Sequence, residues 1–142
     1  MSLLACWGDE DWSICNELLR YAVETQPSLV VDCANAANPH ALFPDVEQEQ
    51  LHQVYVMNAE AIYRFRDALR QVPLWAERLE VKMIIVMPIH ILYAYDDEVE
   101  NQDVLDDCWM IMHEIGKIYP VVVGVKANTI HEGFAKKYCS EE

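Results

Sequence analysis

At 142 residues the chain is the size of a single domain, 1–142, and long enough to bury a core without disulfides or metals. A hydrophobic content of 53% excludes a disordered chain, and no apolar run reaches the roughly 18–20 residues of a membrane span. The formal charge of −14 repels phosphate backbones, which argues against strong autonomous binding of DNA or RNA.

The chain starts MSLLACWGDEDW, with no basic stretch ahead of its apolar residues, so no signal peptide is expected. LLACW (residues 3–7) reads as a first strand ending at Gly8. Residues 9–25 form a predicted helix with Cys15, Leu18, Leu19, Ala22 and Val23 on one face, and Asp9 is placed to cap its start. Pro27 ends it. LVVDC (29–33) is a second strand without polar alternation, as in a sheet covered on both faces. Residues 34–45 hold two Asn and two Pro and read as a loop.

QVYVM (53–57) is the third strand. A helix over 59–72 follows, with Ile62, Phe65, Leu69 and Val72 inward, and Pro73 is expected to interrupt it. KMIIVM (82–87) is the fourth strand, residues 103–118 a helix, PVVVGV (120–125) the fifth strand, and a short last helix falls within 128–138. Strands alternating with helices predict an α/β three-layer sandwich of about five mostly parallel strands, joined by right-handed crossovers. Ligands of such sheets bind beyond the carboxyl ends of the strands.

The five cysteines, Cys6, Cys15, Cys33, Cys108 and Cys139, form no C-x-x-C pair. Small hydrophobes in a reducing, cytoplasmic compartment is the expectation. None of the five histidines has a zinc-type H-x-x-x-H spacing.

Three segments at the strand ends resemble one family. VDCANAANPHAL (31–42) is similar to the IDTEGTFRPERL type of segment in RecA/RadA/KaiC-like recombinase ATPases, with Asp32, Pro39 and Leu42 in place. IIVMPIHILY (84–93) resembles that family's Walker B strand, and YPVVVGVKAN (119–128) the strand after it. The resemblance implies a RecA-like fold, with the Gly8 turn where a phosphate-binding loop would lie.

The departures from the family pattern bear on chemistry. A phosphate loop needs glycines for a cradle of backbone N–H groups, a Lys for the outer phosphates and a Ser/Thr for magnesium. Here the turn reads Gly8-Asp9-Glu10-Asp11-Trp12-Ser13, without a second glycine or a lysine. At 4 Å and an effective dielectric near 20, each carboxylate would repel a phosphate charge by about 4 kcal/mol. The Walker B Asp falls on Met87 and the water-activating Glu on Ala34. The resemblance therefore implies a degenerate core, and ATP hydrolysis by the family mechanism is not expected.

Two functional readings follow. One is a non-catalytic pseudo-ATPase module acting through a protein partner or self-association, in a DNA-repair or partner-ATPase setting. Its candidate surface is the Arg64, Arg66 and Arg70 cluster with Tyr93 and Tyr95; for the arginines, a solvated face paired with Glu60 and Asp67 is the plainer alternative. The other is a small magnesium- or manganese-dependent or phosphate-handling enzyme, drawing on Asp9, Glu10, Asp11, Asp32, His90 and Lys126 at the strand ends. Helix capping and solvation are the plainer roles of its acids. Cys33 near His40 is a nucleophile only if its thiol is not simply buried and inert. No cofactor is otherwise expected.

Overall fold

The structure, a computed structural model, describes residues 2–33, 53–59, 61–89 and 98–140. Nine elements alternate through them. They are β1 (Leu3–Gly8), α1 (Asp11–Glu24), β2 (Ser28–Asp32), β3 (Val54–Asn58), α2 (Ile62–Leu79), β4 (Met83–Val86), α3 (Glu98–Gly116), β5 (Val121–Lys126) and α4 (His131–Tyr138). All five strands are parallel, in the order β1-β5-β4-β2-β3. The expected α/β sandwich is present.

The central strands carry the core because both of their faces are covered. Every residue of β2 is buried, as are Ile84, Ile85 and Val86 of β4 and residues 121–125 of β5. α1 packs on one face: a Cβ placed on Gly124 of β5 would lie 2.8 Å from Ile14 and 2.8 Å from Leu18. On the other face Gly116, ending α3, closes on Leu3. Phe65, Leu69, Val72 and Ala76 of α2 and Leu105, Cys108, Trp109, Met112 and Ile115 of α3 form the apolar stripes of that layer. Burial of such side chains at about 1.5–3 kcal/mol each is what holds the sandwich together.

Two expectations about helices are corrected. Asp9 does not cap α1: the N-cap is Glu10, and its side chain makes no capping bond. Pro73 does not interrupt α2, which runs through it to Leu79. A proline inside a helix costs about 3 kcal/mol, but Val72 and Ala76 on either side are fully buried and continue the stripe. The helix stops instead at Glu80, which adopts a left-handed conformation at φ 52° while Val81 N–H bonds back to Ala76 C=O at 3.2 Å.

Most buried polar groups among the described residues are matched locally, Arg66 Nε being an exception. Ser28 Oγ donates to Ala22 C=O at 2.8 Å. Trp109 Nε1 donates to His131 Nδ1 at 3.2 Å, joining α3 to the first residue of α4. Tyr138 donates to Asp106 at 2.7 Å and Lys137 to the same carboxylate at 3.3 Å, so α4 is clamped at both ends. No helix among the described residues is long and apolar enough to cross a membrane.

Candidate functional site

The carboxyl ends of β1 and β5 lie side by side, because Gly8 is registered opposite Lys126 and accepts a bond from Ala127 N–H at 3.0 Å. Only Asp9 and Glu10 separate β1 from α1. The connection is so short because Ile14, on the first turn of α1, drops its side chain onto Gly8, where a Cβ would collide with it. Gly8 is thus small to admit Ile14.

Asp11 occupies the first turn of α1, where the helix dipole favours negative charge. Lys126 reaches across from β5 and places Nζ 3.1 Å from Asp11 Oδ1, both side chains partly exposed. The anion expected at this helix terminus is therefore supplied by the chain, and so is its countercharge. Beyond it, Thr129 Oγ1 donates to Lys126 C=O at 2.8 Å and Asn128 takes a left-handed turn at φ 64°, which leads the chain into α4.

The sequence candidates divide. Asp9, Glu10 and Asp11 are exposed, whereas Asp32 is buried at the end of β2, its C=O accepting from Ala59 N–H at 3.0 Å. Among the described residues no three His, Cys, Asp or Glu side chains gather into a group able to hold a metal ion. Met87, which the resemblance alone sets against the family's Walker B acid, is fully buried. His90, Tyr93, Tyr95, Ala34 and His40 lie outside the described residues.

Two of the three arginines are engaged within the α2–α3 layer. Arg66 bonds Asp107 of α3 at 3.3 Å and lies over the Tyr63 ring at 5.4 Å. Arg70 is 3.8 Å from Asp67, one turn back, as in the solvated-face alternative. Arg64 is exposed. Pairs of this exposure contribute about 0.2–1 kcal/mol.

The thiols are all free. Burial pushes Cys15 and Cys139 up to about 11 and Cys108 to about 12. Burial also raises Cys33 well above the ordinary range, and its Sγ lies 3.2 Å from Met87 C=O and 3.3 Å from Pro88 C=O. A protonated thiol aimed at two carbonyls is not a nucleophile at neutral pH. The inert reading of Cys33 holds.

Sequence reasoning missed the Asp11–Lys126 pair. The residues were both named, but as independent candidates: Lys126 ends β5 and Asp11 opens α1, and nothing in the sequence says that β1 and β5 are neighbours.

No protein-family model matches the chain, and no curated protein matches it. Among solved structures it is similar to one described as the "Crystal structure of the RadB recombinase", with a TM-score of 0.72 at 14% identity. That likeness covers 91% of this chain and 64% of the recombinase chain, so this chain spans under two thirds of its neighbour's length. The fold is RecA-like.

Proposed function

We propose that this chain is a RecA-like interaction module that does not turn over a nucleotide and that acts on a protein partner in a recombinase or ATPase setting. The observation that carries the reading is the Lys126–Asp11 pair at 3.1 Å across a two-residue β1–α1 connection. A triphosphate is held by a glycine-rich loop of amide groups and an ammonium that faces it. Here the connection has no length to form a cradle, and Ile14 takes the space over Gly8. The helix terminus that would draw phosphate already carries Asp11, and Asp9 and Glu10 add charge of the wrong sign.

The setting rests on the likeness to a recombinase fold together with the ordered motif resemblance. Calorimetry with ATP and magnesium, and separately with GTP, tests the reading. No binding heat and no released phosphate are expected. Micromolar binding with turnover would overturn it.

A further inference from the structure

The outward side of α2 is complementary to itself when reversed. Tyr63, Asp67, Arg70 and Leu74 are spaced four, three and four residues apart, which puts them in one row along the helix. All four are exposed, Tyr63 by 45% and Leu74 by 48%. The row reads aromatic, acid, base, aliphatic. Turned end for end about the midpoint of Asp67 and Arg70, it sets Tyr63 on Leu74 and Asp67 on Arg70. A patch that matches its own reverse is what a two-fold contact requires.

The charges in the row are loosely held. Asp67 and Arg70 are 3.8 Å apart, beyond hydrogen-bond reach, with both side chains more than half exposed. The flanking charges are engaged more closely inside the chain. Arg66 leans over the Tyr63 ring and reaches Asp107 of α3, and Arg78 lies over the Trp75 ring at 5.6 Å. On α3, Glu114 has Lys117 at 2.9 Å and Asp106 has Tyr138. Beside these, the Asp67–Arg70 pair is the loosest.

Two further features favour a second copy at this face. The chain has ten Lys and Arg against 24 Asp and Glu, and four of the ten lie on α2, with only Asp67 and Glu77 opposing them. Among the described helices α2 has the largest positive balance, so another acidic copy is repelled least there. The second feature is apolar. α2 and α3 run parallel, each returning from the carboxyl end of one strand to the amino end of the next. Arg66 is level with Asp107, which sets Met110, 47% exposed, beside Arg70 at the middle of the row.

We propose that α2 packs antiparallel on the α2 of a second copy of this chain, in a two-fold dimer centred on two crossed Asp67–Arg70 bridges. Tyr63 of each copy lies on Leu74 of the other, and the two Met110 side chains flank the axis. This goes beyond the interaction-module reading and does not rest on it: nucleotide binding at the β1–α1 turn would leave it standing. Two helices about 27 Å long and about 10 Å apart offer roughly 500 Å² per copy. The dimer then buries about 1,000 Å², at the lower limit of specific interfaces. It is a reversible dimer of micromolar strength.

Sedimentation velocity of the full chain, from the low to the high micromolar range, is expected to show a monomer–dimer equilibrium. Arg70→Asp leaves four acids at the centre and Asp67→Arg four bases. Each is expected to weaken the dimer at least tenfold, with circular dichroism unchanged because both positions are exposed. Mixed in equal amounts, the two variants are expected to associate with wild-type affinity, since every acid then faces a base. The chain carrying both changes is expected to recover the dimer in the same way. A chain that stays monomeric throughout the range would overturn the proposal. So would a dimer that Arg70→Asp leaves intact, which puts the second copy on another surface. So would single variants that fail to associate when mixed.

Discussion

The β1–α1 turn and the outer face of α2 each carry an acid beside a base, and they are opposite in kind. At the turn, the helix terminus has its anion in Asp11, the anion has its cation in Lys126, and the space over Gly8 is filled by Ile14. On α2, Asp67 and Arg70 stand 3.8 Å apart between the exposed Tyr63 and Leu74. A region that satisfies its own charges and fills its own space gains little from a ligand. One that leaves apolar surface in water gains about 25 cal/mol for each Å² that is covered. The difference teaches that the strand-end position where ligands of such sheets bind can be closed by the chain's own side chains.

The largest expected effect is in the packing beneath the turn. Gly124→Ala puts a methyl 2.8 Å from Ile14, Leu18 and Pro88 alike, and should destabilise by about 1–3 kcal/mol. A neutral result in thermal unfolding would show that α1 can lift from the sheet, and that the turn is less closed than drawn.

The partners that α3 acids find inside the chain are tested by Tyr138→Phe, which deletes the 2.7 Å bond to Asp106 and should cost about 1 kcal/mol. That bond, ahead of Lys137, holds the Asp106 carboxyl below its ordinary value. A lowered carboxyl contributes stability that is present above its unfolded value near 4 and is lost as pH falls through the folded value. Wild type should therefore lose more stability on acidification below about pH 4 than the variant does. Parallel acid-unfolding curves would remove Asp106 from the clamp.

The smallest effect is expected at the ion pair itself. Lys126→Met should change stability by less than about 1 kcal/mol, since both partners are partly exposed, and the change should shrink in high salt. Nucleotide binding should not appear in this variant, because Asp9, Glu10, Asp11 and Ile14 remain. If it does appear, the pair was a removable plug.

Much of the scaffold was legible in the sequence. The unbroken apolar runs of β2, β4 and β5 are what a strand covered on both faces must be, and the spacing of Ile62, Phe65, Leu69 and Val72 fixes one buried stripe. The errors fall where tertiary contacts outweigh local rules. Pro73 is a helix breaker in isolation, yet the buried stripe carries α2 through it. Asp9 has the side chain of an N-cap, yet Ile14 on Gly8 sets α1 to begin two residues later. At the candidate site the acids and Lys126 were visible one by one, but a list of residues has no distances.

Sequence alone determined the layers, the sign of the charge and the absence of a second glycine or a lysine from residues 8–13, because periodicity and residue type act through neighbours along the chain. Only the tertiary structure decided that β1 pairs with β5, that Lys126 meets Asp11, and that α4 returns to lay Ser140 against Leu3. Those contacts join residues as much as 137 positions apart in number, and strand order is set by which pairing buries the most apolar surface rather than by anything a local pattern encodes.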